Sequence, residues 1–268
     1  KIVENGSFDL VYMPVCGLGD GHIDHYEALT RFRDEAGESP FALITLAEEV
    51  GVISEFDLAV AKRAIDTIIR AQKTAPPTPV AINVSGHSIG DPLFCAELDK
   101  MLQAQFGIDE FLSLEIIESA EIEDLKGVNA AIQEFRRAGF KVALDDFGAG
   151  AASFDYLNSF DVDTVKFDGP VVKRAVATKK GKAFLASMAT LCREIEVETI
   201  AEMVEDAPLA QFLGECGIKL GQGWHFGKPI SAKDAFKGLE DEAPKPTIPV
   251  SPNMDGMSLM ERLNAGVD

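Results

Sequence analysis

Short apolar runs alternate with longer amphipathic segments along most of the chain. The runs are rich in Val, Ile and Leu and have the length of β-strands, whereas the segments between them repeat apolar residues at helical spacing. Strands are predicted at 8–15, 22–32, 80–85, 112–118, 141–146, 164–168, 198–202 and 219–224. Helices are predicted at 41–51, 55–71, 91–106, 123–138, 154–160, 180–194, 207–216 and 231–239.

This alternation indicates an α/β protein built from βα units around a parallel sheet. About eight units in about 240 residues favour a closed (β/α)8 TIM-like barrel over an open doubly wound sheet, with the site at the C-terminal strand ends. No G-x-G-x-x-G follows the first strand, which argues against a dinucleotide-binding fold. We therefore expect a barrel domain over residues 1–240, followed by a Pro-rich acidic linker and C-terminal tail over 241–268.

Composition narrows the range of partners. The chain has 268 residues and a formal net charge of -19, which argues against a DNA or RNA duplex as ligand and against a polybasic membrane surface. The four cysteines are scattered without a C-x-x-C pair, as expected of free thiols in a reducing cytoplasm. No apolar run reaches membrane-spanning length and no signal peptide is visible. Because the chain begins at Lys1, we expect a cytoplasmic piece of a longer protein, with any tether to the inner membrane in a region outside it.

Polar side chains lie within or just after almost every predicted strand. They are Glu27, Asn83, Glu115, Asp145, Asp146, Lys166, Glu202 and Gln222. In a (β/α)8 barrel the C-terminal ends of the strands converge on one mouth. A solvated strand end would explain any single residue, but it is a poor explanation for the whole series. Carboxylates and amides without Cys or His are ligands for Mg²⁺, Mn²⁺ or Ca²⁺ rather than for zinc.

The adjacent acids Asp145 and Asp146 follow an apolar strand and precede Gly148 and Gly150. Two like charges about 4 Å apart repel by roughly 4 kcal/mol at an effective dielectric constant of about 20, so such a pair must bind protons or cations. Two divalent cations that share Asp145 would convert an acidic pocket into a phosphate site. That arrangement is the usual one for in-line attack on a phosphodiester.

Seven short motifs, in order, resemble the motif series of the bacterial EAL domain. They are YEALTR at 26–31, INVS at 82–85, LEIIE at 114–118, ALDDFG at 143–148, KFD at 166–168, AEMVE at 201–205 and QG at 222–223. The resemblance implies a barrel that binds cyclic di-GMP and, in active members, hydrolyses it to linear pGpG. It also implies Mg²⁺ or Mn²⁺ as cofactor, with Ca²⁺ permitting binding without turnover, and it allows a homodimer.

The resemblance implies four groups of site residues. The metal ligands would be Glu27, Asn83, Glu115 and Asp145 for one ion, and Asp145, Asp146 and Glu202 for the other. The catalytic residues around the attacking water would be Lys166, Glu202, Glu205 and Gln222. The nucleotide contacts would be Glu27, Leu29, Arg31 and Asp168. The loop after the acid pair would be supported by Glu118 and Asp146.

The chain departs from the family pattern around these ligands. Met13, Ile117, Ala151, Ala152, Met203 and the pair Gly169-Pro170 stand where the family usually has other residues. Altered support of this kind typically lowers metal affinity or activity by about 10–100-fold.

Three interpretations follow. The first is a cyclic di-GMP receptor with weak or no hydrolysis that signals through protein partners, and the drift around the ligands favours it. The second is an active metal-dependent phosphodiesterase, which the complete ligand set favours. The third, a scaffold that binds no nucleotide, is disfavoured because clustered carboxylates would then be a pure instability. A barrel with a short Pro-rich tail also resembles receptors that regulate flagellar assembly, which suggests a role in motility control.

Overall fold

A computed structural model of the chain describes residues 8–32, 40–74, 76–117, 122, 124–150 and 153–239. Eight strands form a closed barrel in chain order. They are β1 (Phe8–Gly17), β2 (Ile23–Phe32), β3 (Val80–Ser85), β4 (Leu112–Ile117), β5 (Lys141–Phe147), β6 (Thr164–Phe167), β7 (Glu198–Ala201) and β8 (Leu220–Gln222). The helices are α1 (Pro40–Glu49), α2 (Ile53–Gln72), α3 (Gly86–Gly90), α4 (Pro92–Gln103), α5 (Leu125–Arg137), α6 (Ser153–Ser159), α7 (Gly169–Val176), α8 (Lys179–Glu194), α9 (Ala207–Glu215) and α10 (Ala232–Ala235).

The predicted barrel is confirmed, but the expectation of an entirely parallel sheet is wrong for its first strand. β1 runs antiparallel to β2 and to β8, whereas all other neighbours are parallel. The physical reason is the short connection 18–22, because a parallel crossover needs about a dozen residues or more. β1 therefore closes the barrel, with Met13 opposite Glu27 and Val15 opposite Gln222.

The barrel strands bury both faces, one against the helices and one inside the barrel. Ile82, Leu114 and Leu144 are fully buried and belong to the continuous apolar core. Burying each such side chain contributes about 1.5–3 kcal/mol. The residues that alternate with them carry the polar side chains, because successive side chains of a strand point to opposite faces. The packing of the apolar side chains on one face of each strand thus fixes the direction of the polar side chains on the other face.

Two short helices were not predicted from the sequence. α3 begins after Ser85, whose side chain accepts a hydrogen bond from the His87 backbone N–H, and α7 begins after Asp168, which caps the Val171 N–H in the same way at 3.2 Å. α3 is short and begins and ends with glycine, and α7 begins with Gly169-Pro170, so neither segment shows a helical pattern in the sequence, although Pro is favourable in a first helical turn.

Several expectations fall outside the described part of the chain. Glu118, Ala151, Ala152 and the linker and tail at 241–268 all belong to the residues that the structure does not describe. Among the helices that it does describe, none combines the length and the apolar character that a membrane span requires.

Candidate metal centre

Three carboxylates from three strands meet inside the barrel. Glu27 on β2, Glu115 on β4 and Asp145 on β5 each place one oxygen within 4.8 Å of the others, and all three side chains are buried. We call them the inner acid group. They were predicted to act together, and the alternation of the strands does bring them together. So many buried carboxylates require a compensating positive charge.

Lys166 on β6 supplies one such charge. Its Nζ lies 2.7 Å from Glu115 Oε2, 3.1 Å from Asp145 Oδ1, 3.2 Å from Glu202 Oε1 and 3.3 Å from Glu27 Oε2. The Lys166 side chain is 0% exposed. One ammonium group is therefore shared by four carboxylates, and it cannot neutralise all of them.

Two amides complete this interior. The Asn83 Nδ2 donates to Glu27 Oε1 at 2.7 Å, and the Gln222 Nε2 donates to Glu27 Oε2 at 2.6 Å. The Asn83 Oδ1 is buried without a hydrogen-bond partner, which is costly for a polar atom. Together, the unpartnered Asn83 Oδ1 and the oxygens of the three carboxylates form a set of hard oxygen ligands. These residues therefore fit Mg²⁺, Mn²⁺ or Ca²⁺.

A β-bulge separates the adjacent acids. Leu144 pairs with Val165 and Phe147 with Phe167, so β5 contains one extra residue relative to β6. Asp146 takes a positive φ of 53° there, and its N–H donates to Asp145 Oδ1 at 2.9 Å. Bulges of this kind redirect side chains near active sites. Here the bulge lets Asp145 and Asp146 both point toward the metal centre, with Asp145 buried and Asp146 half-buried.

The second acid belongs to another group. Asp146, Asp168 and Glu202 each offer an oxygen within 4.8 Å of the others, and we call them the outer acid group. Asp168 was predicted to contact the nucleotide, and the structure places it beside these two predicted metal ligands. The Lys166 pair with Glu202 Oε1 links the two groups.

Burial and mutual repulsion shift the titration of the inner residues. Burial raises the pKa of Glu115 well above its usual range, with Glu27 and Asp145 adding to the shift against the attraction of Lys166. Burial raises the pKa of Asp145 as well, although Lys166 opposes the shift. For Glu27, burial is outweighed by Lys166 and by the hydrogen bonds from Asn83 and Gln222, and its pKa is lowered. Burial lowers the pKa of Lys166, but the surrounding carboxylates outweigh it and raise the pKa well above normal.

Two residues of the outer acid group, Asp146 and Glu202, have raised pKa values. Burial and the neighbouring Asp145 charge raise the pKa of Asp146 to about 6. Burial, with contributions from Asp145 and Glu27 against Lys166, raises the pKa of Glu202 to about 7. Without a cation, this centre therefore retains protons on some of its carboxylates.

Met203 lies at the edge of the outer acid group. It has a positive φ of 51°, which is unusual for a residue other than glycine. Its side chain occupies the space next to Gly169, since a Cβ built on Gly169 would lie 2.2 Å from Met203 Cγ. The two positions are complementary: the missing side chain at Gly169 makes room for Met203.

The remaining predicted residues lie apart from these contacts. Arg31 is exposed and donates to the Thr30 carbonyl at 2.9 Å, Leu29 is half-buried and Glu205 is exposed. The nucleotide contacts expected of Arg31 and Leu29 stay predictions, as does the role of Glu205 beside the attacking water. The loop-support role of Glu118, which lies outside the described residues, also stays a prediction.

His25 was not predicted to belong to the centre. Its Nε2 lies 3.9 Å from Glu115 Oε1. The sequence contained one indication of this contact. His25 lies two residues before Glu27 in a strand, which places both side chains on the same face.

Comparison with known proteins identifies the family. A sequence profile described as "EAL domain" matches residues 1–229. The chain belongs to the EAL domain family. Several solved EAL structures share the barrel fold that holds the two acid groups.

Individual relatives extend this finding. The chain is 31% identical over 232 residues to the "Cyclic di-GMP phosphodiesterase PdeB" of Shewanella oneidensis, a match that covers 85% of the chain and 27% of that protein. The FimX EAL domain from Pseudomonas aeruginosa, solved bound to c-di-GMP, has a TM-score of 0.75 at 25% identity over 87% of this chain and 95% of that one. The EAL enzyme Bd1971, solved with cAMP and cyclic-di-GMP, has a TM-score of 0.78 at 24% identity, covering 86% of this chain and 64% of that one. The chain spans 27% and 32% of the length of two curated relatives that it matches.

Proposed function

We propose that this EAL domain binds cyclic di-GMP at the barrel mouth through divalent cations and acts as a receptor with weak or no hydrolysis. The observation that carries the binding proposal is the set of four carboxylates around Lys166 beside the unpartnered Asn83 Oδ1. Such a set has excess negative charge, and bound cations would turn it into a site for phosphate. PdeB is named a cyclic di-GMP phosphodiesterase and the FimX domain was solved with c-di-GMP bound, which supports this choice of ligand.

Two ions of the Mg²⁺ or Mn²⁺ class suit the two acid groups. The first would be held by Glu27, Asn83, Glu115 and Asp145, and the second by Asp145, Asp146, Glu202 and Asp168. When bound, such ions neutralise phosphate charge and activate water. The protein itself contributes orientation: Gln222 and Asn83 fix the Glu27 carboxylate from both sides, and Lys166 holds the carboxylates of both groups together.

The receptor proposal rests on the outer acid group. Its member Asp146 and the residue that follows Glu202, Met203, both have positive φ, and the Met203 side chain fills the space beside Gly169 at the start of α7. Strained backbone persists only where its surroundings hold it. A second ion that depends on these positions would be held less firmly than the first. Binding needs the first ion, whereas hydrolysis also needs the second.

The second candidate is an active cyclic di-GMP phosphodiesterase that produces linear pGpG. The specific observation in its favour is that the residues expected from the resemblance to bind metal all carry an oxygen donor and are buried or half-buried. No described substitution removes an oxygen ligand. The two candidates therefore differ in the quality of the second ion site rather than in its composition.

One experiment separates them. Cyclic di-GMP is titrated by calorimetry in Ca²⁺, and then incubated with the protein in Mg²⁺ or Mn²⁺ while pGpG is followed by chromatography. We expect binding in Ca²⁺ and slow or undetectable pGpG formation. Rapid conversion in Mg²⁺ or Mn²⁺ would establish the enzyme instead, and a lack of binding in every metal would refute both candidates.

The proposal extends to the partners and the cellular process of the domain. As a receptor, the domain would act through protein partners, with homodimer formation and a membrane tether outside this chain as further expectations. Control of flagellar assembly is the proposed setting, and it is supported only by the resemblance of the barrel and its tail.

A further inference from the structure

The end of β3, which carries Asn83, is paired with a neighbouring strand on one side. Pairing of β3 with β2 stops at Ile82, whereas pairing with β4 continues through Asn83 to Ser85. Beyond this point β2 continues as the partner of β1. The last residues of β3 include an expected ligand of the first ion, and on the side of β2 they depend on a support other than the sheet.

Asp57 of α2 provides this support. Its Oδ2 accepts a hydrogen bond from the Ser85 backbone N–H at 2.9 Å and another from Ser88 Oγ at 2.7 Å. One carboxyl oxygen thus joins the end of β3 to α3. In a regular sheet the N–H of a strand residue donates to a carbonyl of the next strand, and here the carboxyl group of Asp57 takes the place of that carbonyl.

The surroundings of Asp57 are otherwise apolar. It belongs to the buried side of the first turns of α2 together with Ile53, Phe56, Val60 and Ala61, and it is only 5% exposed. Burying a carboxyl group is costly unless its hydrogen bonds are made. An apolar side chain would fill this position without that cost, so packing alone does not account for the acid. Its hydrogen bond to the backbone of β3 does.

We propose that Asp57 is a positioning residue for the first ion, which fixes the end of β3 and thereby holds Asn83 at the inner acid group. This role rests on the proposed function, because the position of Asn83 matters when its Oδ1 meets a cation. Asn83 lies two residues before Ser85 on the same strand. Its Nδ2 donates to Glu27 Oε1 at 2.7 Å, which orients the amide group, but the place of its backbone is set by β3.

Glu48 of α1 contacts the same serine in a different way. Ser85 Oγ donates to Glu48 Oε1 at 2.9 Å. A hydroxyl group changes its position by rotation about χ1, so this bond restrains the backbone of β3 less than the bond from the Ser85 N–H to Asp57 does. We therefore assign the positioning of the strand to Asp57 and the attachment of α1 to Glu48.

The test is a double-mutant cycle that is read out by metal affinity. Wild type, Asp57→Ala, Asn83→Ala and the double variant are titrated calorimetrically with Mn²⁺ in the absence of nucleotide. Asp57→Ala should weaken the first binding step about 10-fold, as expected for the loss of a group that orients a ligand, and should leave the second step unchanged. In the Asn83→Ala background the same substitution should have an effect of less than about 2-fold, because residues that act through one another are not additive.

Two further variants separate positioning from general stability. Thr67→Ala, the matched control, removes another buried polar side chain of α2, whose hydroxyl donates to the Arg63 carbonyl at 3.0 Å, and it should leave both Mn²⁺ steps unchanged. Asp57→Asn retains an oxygen that accepts from the Ser85 N–H and should recover most of the first-step affinity. If circular dichroism shows that Asp57→Ala does not fold, Ser88→Ala replaces it in the cycle with an expected loss of about 3-fold, because it removes one of the two donors to Asp57.

The outcomes distinguish this role from the ion site itself. A first-step affinity that stays at the wild-type value in the Asp57 or Ser88 variant would overturn the positioning role. An equal loss with and without Asn83, or an equal loss in Thr67→Ala, would also overturn it, while the ion site would stand. A wild-type protein that binds no Mn²⁺ would refute the ion site of the proposed function and the positioning role with it.

Discussion

The inner and outer acid groups contain similar side chains on very different supports. Glu27, Glu115 and Asp145 project from the middle or end of strands and surround Lys166. In the outer group, Asp146 sits in a bulge and Glu202 follows the end of β7. Regular strands fix the direction of the inner side chains through the apolar packing on their other face. The Asp146 side chain depends instead on a positive φ, which few residues other than glycine adopt.

This difference separates two tasks. The inner group is held together even without a metal ion, because Lys166 and the two amides occupy its oxygens. The outer group has pKa values near neutrality for Asp146 and Glu202, so its charge depends on whether a cation is present. We expect the inner group to determine whether the ligand binds and the outer group to determine whether it is hydrolysed.

The largest effect should come from removing the shared positive charge. Lys166→Met removes the one lysine that pairs with all four carboxylates of the centre. Breaking a buried pair in this way costs about 3–5 kcal/mol. Urea denaturation in EDTA should show this loss, and excess Ca²⁺ should recover part of it.

The control is Lys219→Met, at a residue whose side chain is 69% exposed and pairs with Glu198 at 3.0 Å. A surface pair of this kind contributes roughly 1 kcal/mol or less. Equal stability losses for the two variants would contradict the view that Lys166 organises the centre.

The adjacent acids provide a sharper comparison. Asp145→Asn removes a ligand of the inner group, and we expect about a 100-fold loss of affinity for the first metal ion and for cyclic di-GMP in Ca²⁺. Asp146→Asn should leave the first ion within a few-fold of wild type and weaken only the second, by about 10-fold. Calorimetric titration with Ca²⁺ or Mn²⁺ resolves the two steps. Identical profiles for the two variants would show that the bulge does not separate the sites.

Strand alternation made much of this site predictable from the sequence. A polar residue at every second position of an apolar strand, as at Asn83 and Glu115, must point into the barrel when the flanking residues are outside. The position of Asp146 was not predictable in the same way, because the bulge is defined by the pairing of β5 with β6. A single strand contains no information on the register of its partner.

Contacts at the N-terminal ends of the barrel strands could not be predicted from the sequence either. Ser113 and Ala143 look like ordinary small residues until the closed sheet places them in one layer below the acids. His25 and Glu115 likewise lie far apart in the chain, and their side chains approach each other only in the closed barrel. Contacts across a barrel come from topology, and the antiparallel β1 could be inferred only from the length of its turn.

The stability of the metal-free protein should fall as the pH rises from about 4.5 to about 7. The pKa of Glu202 is raised from its ordinary value of 4.5 to about 7, so the folded state binds more protons than the unfolded state in this window. Unfolding free energy then decreases with increasing pH. The change for Glu202 is on the order of 3 kcal/mol.

Urea denaturation in EDTA at pH 5 and pH 7.5 measures this dependence. Glu202→Gln should make it shallower, because the amide cannot titrate, while Asp146 and Asp57, whose pKa values burial raises to about 6 and about 7, still do. Divalent cations should reverse the trend, since metal binding displaces these protons and strengthens with pH. A stability that rises with pH in EDTA, in both wild type and Glu202→Gln, would mean that the centre retains no protons.

The smallest effect concerns Met203, where strain and crowding can be separated. Met203→Gly removes both the cost of a side chain at positive φ, about 1 kcal/mol, and the thioether beside Gly169. Because glycine also loses more entropy on folding, the net change in stability should be within about 1 kcal/mol. Met203→Ala keeps the strained Cβ but removes the thioether. If crowding by the thioether weakens binding of the second ion, both variants should raise pGpG formation about 10-fold in Mn²⁺. If backbone strain alone is the cause, only Met203→Gly should raise it. If neither variant forms pGpG faster, Met203 is not the cause of slow hydrolysis, and the segment that follows Asp146 becomes the next candidate.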